Sequence, residues 1–175
     1  MRGVAACFAL LALAGCASRP LPALSDVRFD PIRFFQGPVE GTGTLHKIVG
    51  APVPIRVSSR SEGDLNQTRI TQIIREGTKP ARQRTWTIRR VGEGYTGTLT
   101  DAAGPVRIDV RGGRAFINYR TPDGLVIDQE LALQNYAGVL CNRLTVRKFG
   151  VRVAVLNETI RRVPLGLNAK ANCPA

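Results

Sequence analysis

The sequence predicts an all-β protein, an antiparallel meander of about nine or ten strands. Three features of its 175 residues lead to this prediction. From Phe34 onward, apolar and polar residues alternate with a period of two, which is typical of strands with one buried face. Turn sequences such as Gly112-Gly113 separate these runs at intervals of about ten residues. No segment has the apolar periodicity of a long helix. A barrel is favoured over a sandwich because closure removes exposed strand edges.

The first residues have the form of an export signal. A short cationic start is followed by an apolar run at 4–13, which is too short to cross a bilayer because crossing takes about 20 helical residues. The run ends in Leu-Ala-Gly-Cys at 13–16, which is similar to the bacterial lipoprotein box. We expect 1–15 to be a signal peptide and Cys16 to become an acylated first residue, carrying chains such as palmitate. The alternatives are an ordinary signal peptide with a chance cysteine, or a buried apolar start.

The residues after Cys16 predict where the protein resides. Ala17 follows the cysteine, whereas an Asp there would retain a lipoprotein in the inner membrane of an enteric-type envelope. We therefore expect an outer-membrane lipid anchor that faces the periplasm. Residues 16–33 contain three prolines and little periodicity, which indicates a semi-extended tether with a reach of up to roughly 50 Å. The barrel domain is then 34–163, and 164–175 form a C-terminal tail.

The alternation also predicts which side chains fill the barrel. A shift of one residue would bury arginines instead, at a large cost in free energy. The expected interior consists of Ile55, Val57, Trp86, Ile88, Val106, Ile108, Val110, Ile117 and Tyr119. Many of these side chains are smaller than aromatic ones, and Gly and Thr dominate at 41–44. We therefore expect space inside for a small ligand, since a barrel of about eight strands either fills itself or holds one.

Five segments of the sequence resemble a bacterial lipoprotein family known as domain of unknown function thirty-eight thirty-three. They are Phe-Gln-Gly at 35–37, Glu-Gly-Thr-Gly at 40–43, Arg-Thr-Trp at 84–86, Tyr-Thr-Gly at 95–97, and the closing segment at 142–151. The resemblance covers about residues 35–161. It implies an envelope lipoprotein with a calycin-like (lipocalin-like) barrel, and it implies no reaction. Where the family carries Asp-Asp-Trp this chain has Asp128-Gln129-Glu130, so any role of that Trp is absent or altered.

Two cysteines are expected to form a disulfide. Cys141 and Cys173 are the only cysteines besides Cys16 in the mature chain, and an exported protein folds in an oxidising compartment. The loop that they close is worth roughly 3 to 4 kcal/mol in the chain-entropy treatment. The alternative is two unrelated thiols, with Cys141 buried and Cys173 in a frayed tail.

No residue pattern predicts catalysis. His46 is the single histidine, which leaves too few ligands for a zinc site. The sequence has no Gly-x-Ser-x-Gly motif and no phosphate-binding loop before a helix. Glu40 is expected to bond Arg84 or Arg143 structurally rather than to act as an acid. We therefore expect no catalytic residue, no metal, no cofactor and no enzymatic activity.

The formal net charge of +12 calls for an explanation. Export and the lack of aromatic stacking platforms argue against nucleic acid as a partner. Anionic lipid headgroups are one alternative, and arginine as the general solvent-facing cation is the other. A cluster of cations on one face would favour the first explanation, and an even spread would favour the second.

Two functions fit these expectations best, and an enzyme remains a third class, which convergent polar groups with shifted pKa values would favour. The first is a non-enzymatic module that binds a small apolar or amphipathic, lipid-like molecule. Its candidate binding residues are Trp86, Ile88, Ile108 and Tyr119 inside the barrel, with Arg143 and Lys148 facing an anionic head group. Arg143 has an alternative role, closing the barrel end by bonding backbone carbonyls. The second function is a structural or assembly accessory of the envelope that contacts an anionic lipid surface or a protein.

Overall fold

A computed structural model describes residues 19–24, 26–135, 138–163, 171 and 173–174. In these ranges one short helix, α1 (Pro31–Phe34), precedes ten antiparallel strands. The strands are β1 (Val39–Lys47), β2 (Val53–Gly63), β3 (Gln67–Glu76), β4 (Arg82–Val91), β5 (Gly94–Leu99), β6 (Val106–Arg111), β7 (Arg114–Arg120), β8 (Val126–Asn135), β9 (Val139–Lys148) and β10 (Val151–Arg162). Within the described ranges no helix is apolar and long enough to span a bilayer. The expected signal peptide, Cys16 and most of the C-terminal tail lie outside the described residues.

The strands form a closed barrel. Each strand pairs with the next along the chain, and β10 pairs with β1. The predicted antiparallel meander and the preference for a barrel over a sandwich are confirmed. The turn at Gly112-Gly113 also agrees with its sequence, because Gly112 has a φ of 53°, a conformation that glycine adopts without strain.

The two ends of the barrel differ. At one end, termed the α1 end, the turns β2–β3, β4–β5, β6–β7 and β8–β9 lie together with α1. At the other, termed the far end, lie the turns β1–β2, β3–β4, β5–β6, β7–β8 and β9–β10. Phe29, Ile32, Phe34 and Phe35 are buried in the main core cluster, so the α1 end is closed by apolar side chains.

The interior has the composition that the alternation predicts. Eight of the nine expected interior side chains are buried, and Val110 is half-buried against the same core. Ile55 and Val57 pack with Ile74 in a smaller cluster. The strand pleat therefore places these residues on one face, as a period of two requires.

The described residues between 19 and 33 pack against the barrel and do not form the expected tether. Leu21, Phe29 and Ile32 are buried, and backbone hydrogen bonds of 2.8 Å join Leu24 N–H to Leu133 O and Phe29 N–H to Gly112 O. The folded unit therefore begins before Phe34. The physical reason is that these isolated apolar side chains gain more free energy against the barrel than in water. Gly113 permits the close approach, since a Cβ there would lie 2.3 Å from Leu24 O.

A disulfide joins Cys141 to Cys173, with a Cα–Cα distance of 5.2 Å. Cys141 is buried on the outer face of β9, where it packs with Leu21 and Ala132. The disulfide, rather than the alternative pair of free thiols, is the arrangement in this structure. It fixes the described part of the C-terminal tail beside the N-terminal segment.

A polar contact attaches α1 to the barrel. Asp30 caps the helix by accepting the Arg33 N–H at 3.1 Å, and its other oxygen accepts from Arg90 Nη2 at 2.7 Å. Arg90 also donates to the Tyr95 hydroxyl at 3.0 Å. Burial raises the pKa of Asp30, but the hydrogen bonds from Arg33 and Arg90 and the charge of Arg90 outweigh it. The net effect is a lowered pKa.

We predict that Asp30→Asn lowers the free energy of unfolding by up to about 1 kcal/mol at neutral pH, because it removes the ion pair with Arg90 while Asn still caps the helix. The lowered pKa means that this contribution is present above the ordinary value of 3.8 and is lost as the pH falls through the folded-state value. The difference from wild type should therefore shrink in acid. Urea unfolding at several pH values measures it. Asp109→Asn, which breaks the exposed pair with Arg111, is the control. Equal stability of Asp30→Asn and wild type at neutral pH would contradict the prediction.

Candidate functional site

Polar side chains interrupt the apolar interior near the middle of six strands. They surround a cavity of about 40 Å³ whose other walls include Phe35, Trp86 and Ile88. The polar residues are Ser59 on β2, Gln72 on β3, Arg84 on β4, Gln129 on β8, Asn142 on β9 and Glu158 on β10. Polar groups in a barrel interior cost free energy unless they bond one another, so their partners determine what the cavity can do.

Gln72 is the centre of one group. Its Nε2 donates to Ser59 Oγ at 3.1 Å, and its Oε1 accepts from Trp86 Nε1 at 3.1 Å and from Arg84 Nε at 2.7 Å. The Arg84 guanidinium lies 5.8 Å from the centre of the Trp86 ring, within the range of a cation–π contact. One amide side chain thus orients both the indole and the guanidinium at the cavity wall.

Glu158 belongs to a second group. Gln129 Nε2 donates to Asn142 Oδ1 at 2.9 Å, and Asn142 Nδ2 donates to Glu158 Oε2 at 2.7 Å. All three side chains are buried. Burial raises the pKa of Glu158, and the hydrogen bond from Asn142 and the charge of Arg84 oppose this shift only in part. Gln129 Oε1 is buried and has no hydrogen-bond partner among the described residues.

Two glycines on β1 make room for the Glu158 side chain. A Cβ on Gly41 would lie 2.0 Å from Glu158 Oε1, and one on Gly43 would lie 2.2 Å from Asn157 O. The sequence predicted that the small residues at 41–44 leave space for a ligand. In the structure the space beside Gly41 holds the carboxyl group instead, so the cavity is smaller and more polar than expected.

Four of the predicted binding residues lie inside the barrel. Trp86 and Ile88 line the cavity. Ile108 and Tyr119 are buried in the same core, where the Tyr119 ring meets Trp86 edge-on at a centroid distance of 6.0 Å. Burial raises the pKa of the Tyr119 hydroxyl. Tyr119 therefore supports the indole rather than lining the cavity.

The other two predicted binding residues do not reach the cavity. Arg143 lies on the outer face of β9, where its Nη1 donates to the backbone oxygen of Arg19 at 2.7 Å. Lys148 is exposed at the far end. The prediction that they face a ligand head group inside the barrel is wrong, because strand pleating puts Arg143 opposite its interior-facing neighbour Asn142. The alternative role of Arg143, bonding a backbone carbonyl, agrees with the structure, although the carbonyl belongs to the N-terminal segment.

Two other candidates lie at the surface. Glu40 is exposed and accepts from Ser58 Oγ at 3.0 Å, so the expected bond to Arg84 or Arg143 is not formed. His46 is exposed near the far end of β1. Within the described ranges, no group of three or more His, Cys, Asp and Glu side chains is placed to hold a metal ion.

Sequence reasoning missed the polar residues of the interior, although a signal for them exists. Four of the six interrupt an apolar face, with apolar residues two positions before and after each. The sets are Ile70-x-Gln72-x-Ile74, Ile127-x-Gln129-x-Leu131, Leu140-x-Asn142-x-Leu144 and Leu156-x-Glu158-x-Ile160. A polar residue at such a position is buried if the alternation holds. Gln129 also belongs to the segment that departs from the family pattern.

We predict that Glu158→Gln stabilises the protein increasingly as the pH rises. The pKa of Glu158 is raised, so its favourable contribution is complete below the ordinary value of 4.5 and is lost as the pH rises through the folded-state value. Gln can still accept from Asn142 but carries no charge. The gain in free energy of unfolding should grow as the pH rises above 4.5 and level off above the folded-state pKa. Denaturant unfolding across the pH range tests this, with exposed Glu62→Gln as the control. A difference that does not change with pH would contradict it.

The fold is similar to that of a solved structure, the S-type phycobiliprotein lyase CPES from Guillardia theta. The TM-score is 0.52 at 8% sequence identity, and the likeness covers 75% of this chain and 89% of that chain. At this identity the likeness shows the fold alone, which is consistent with a calycin-like barrel. No curated protein matches the chain.

A family profile matches residues 10–162, which include the whole barrel. Some of the motif residues that carried the resemblance meet in the structure, since Gly41, Arg84, Trp86 and Asn142 all line the cavity. The family is described as protein of unknown function. The chain belongs to this family, DUF3833.

Proposed function

We propose that the protein is a lipid-anchored periplasmic protein of the outer membrane whose barrel binds a small amphipathic molecule without catalysis, metal or cofactor. The observation that supports binding is the unpartnered Gln129 Oε1 beside the cavity. A buried acceptor without a donor costs about 1–3 kcal/mol. A ligand that supplies the donor removes this cost, which makes the site selective for molecules with an N–H or O–H group.

The surroundings of Gln129 indicate the chemistry of the ligand. Ile88, Ile117 and Leu131 offer an apolar wall to its body. Burial raises the pKa of Glu158, which favours the neutral form of the carboxyl group beside the cavity. Because Gln129 Oε1 lacks a donor, a head group with a hydroxyl, amide or amine donor fits better than the anionic head expected from the sequence.

The size of the cavity limits what can enter without rearrangement. Its volume of about 40 Å³ has room for about three water molecules. A larger molecule requires a wall residue to move. Arg84 is suited to this because it is half-buried and held by a side-chain amide rather than by an ion pair.

We predict that ligand entry changes the fluorescence of Trp86, the single tryptophan of the chain, since its indole lies in the cavity wall. A series of long-chain alcohols, amines and fatty acids, titrated separately, should give saturable changes at micromolar concentration for those carrying a donor head. Gln129→Leu should weaken binding about tenfold, because one hydrogen bond of about 1.4 kcal/mol is lost.

Gln67→Leu is the matched control, because Gln67 is exposed and its Oε1 bonds the equally exposed Arg89 outside the barrel. It should bind like wild type. No saturable change with any of the three ligand classes, or equal loss in both leucine variants, would contradict the binding proposal.

The anchor is a separate part of the proposal, supported by the lipoprotein-box sequence and by the disulfide, which is typical of an oxidising compartment. We predict that Cys16→Ala leaves the precursor uncleaved by the lipoprotein peptidase and blocks incorporation of labelled palmitate. Cys7→Ala, within the leader, should be processed normally. Cleavage of Cys16→Ala at the wild-type bond, with retention in salt-washed membranes, would contradict the anchor.

A further inference from the structure

Four apolar side chains are exposed together at the far end. In the β1–β2 turn Ile48 is 70% and Val49 is 80% exposed, and in and beside the β9–β10 turn Phe149 is 93% and Val151 is 58% exposed. The two turns are neighbours because β1 pairs with β10, and Ile48 N–H donates to Val153 O at 3.0 Å. These four residues are termed the apolar tip.

Phe149 has a backbone conformation that is unfavourable for a bulky side chain. Its φ of 50° is the only positive value at a non-glycine residue among those described. A bulky side chain is strained in this left-handed conformation, whereas Asn or Gly adopts it readily. At 93% exposure the ring recovers little of this cost through packing. The aromatic ring is therefore held outward at the expense of stability.

The charges beside the tip are positive. Lys148 Nζ lies 5.9 Å from the Phe149 ring centre, and Arg152 follows in β10. No salt bridge in the described part of the chain involves either cation, whereas Glu76 and Asp128 nearby are both paired. The exposed arginines of the barrel wall, by contrast, occur on many strands. This even spread favours the explanation that arginine is the general solvent-facing cation of the protein.

The opposite end provides a comparison. Leu65 and Val91 are also exposed there, at 49% and 58%, and the exposed acids Asp64 and Glu93 lie one and two residues from them in the chain. Exposed arginines such as Arg28 and Arg89 also lie at this end, but no aromatic ring is among its exposed large apolar residues in the described chain. The combination of an exposed aromatic ring with unpaired cations is thus specific to the far end within the described structure.

We propose that the apolar tip docks on a membrane of anionic lipid, with Phe149, Ile48 and Val49 inserted at the boundary of headgroups and acyl chains. Lys148 and Arg152 lie beside the inserted residues, where they contact lipid phosphates. Aromatic and aliphatic side chains partition into this boundary, and basic residues near it are attracted to anionic headgroups.

The path of the N-terminal segment is compatible with a barrel whose apolar tip faces the membrane. It runs from the α1 end, where Phe29 bonds Gly112, back to the middle of β9, where Arg19 bonds Arg143. Its described part therefore ends on the strand that leads to the apolar tip. Cys16 is three residues further, a span of at most about 10 Å. Docking of the tip does not require the cavity to bind a ligand.

Vesicle co-sedimentation tests the proposal with residues 17–175, which contain every described element and the disulfide but not Cys16. The chain should sediment with phosphatidylcholine vesicles only when they contain phosphatidylglycerol. Phe149→Asn should weaken this binding about tenfold through the lost apolar contact. The same variant should unfold at a higher temperature, because Asn relieves the left-handed backbone. A gain in stability together with a loss of binding separates docking from a structural role of Phe149.

Val91→Asn, at the α1 end, is the matched control and should bind like wild type. Lys148→Gln should weaken binding about fivefold, and the loss should shrink at high salt. The proposal is overturned if wild type does not sediment with anionic vesicles, or if Phe149→Asn and Val91→Asn lose binding equally. Failure of vesicle binding alongside capture of a purified envelope protein by the tip would also overturn it. Loss of ligand binding by the cavity variant Gln129→Leu has no bearing on this result.

Discussion

Closure of the sheet between β1 and β10 is the constraint on which the rest of the structure depends. Strands that pair only with their neighbours in sequence leave two free edges unless the first meets the last. The closing register pairs Gly41 with Ile160 and Gly43 with Glu158. Because these glycines carry no side chain, Glu158 can extend over β1 into the interior. The same seam thus completes the barrel and positions its buried carboxyl group.

The interior combines apolar packing with two hydrogen-bonded groups. Polar side chains are tolerated there because Gln72 bonds Ser59, Arg84 and Trp86, and because Asn142 bonds Gln129 and Glu158. An apolar interior of similar volume would avoid their desolvation. What the polar groups provide is orientation, since each amide has one arrangement that satisfies its partners. Gln129 Oε1, which has no partner among the described residues, is then a fixed position at which a ligand can donate a hydrogen bond.

The two ends of the barrel differ in how their apolar side chains are used. At the α1 end those of the helix are packed, and at the far end those of the apolar tip are exposed to solvent. At the α1 end, Phe29 and Ile32 bury against the core, and the Asp30–Arg90 pair fixes the helix. At the far end, Phe149 is held outward by a backbone conformation that costs stability. Packing at one end thus contributes stability, while the other carries exposed apolar groups that folding does not use.

The alternation of apolar and polar residues is enough to assign most strands and the faces that they bury. Alternation is a local property of the pleat, so Trp86, Ile88 and Ile108 could be assigned to the interior before any strand pairing was known. The Gly112 turn and the Cys141–Cys173 pairing could also be predicted, from backbone freedom and from the number of cysteines in an oxidising compartment. The outer position of Arg143 follows from the same alternation, once Asn142 is assigned to the interior.

Tertiary structure alone decided which residues meet. Leu21, Leu24 and Phe29 belong to a segment without periodicity, and the acceptors of their backbone N–H groups lie about 80 or more residues away in the barrel. Gln129, Asn142 and Glu158 come from three strands, and Ile48 and Phe149 from hairpins at opposite ends of the barrel sequence. The first three meet through the hairpin registers of β8, β9 and β10. Ile48 and Phe149 become neighbours because closure places β1 beside β10, and that contact depends on the register of the whole sheet rather than on any local pattern.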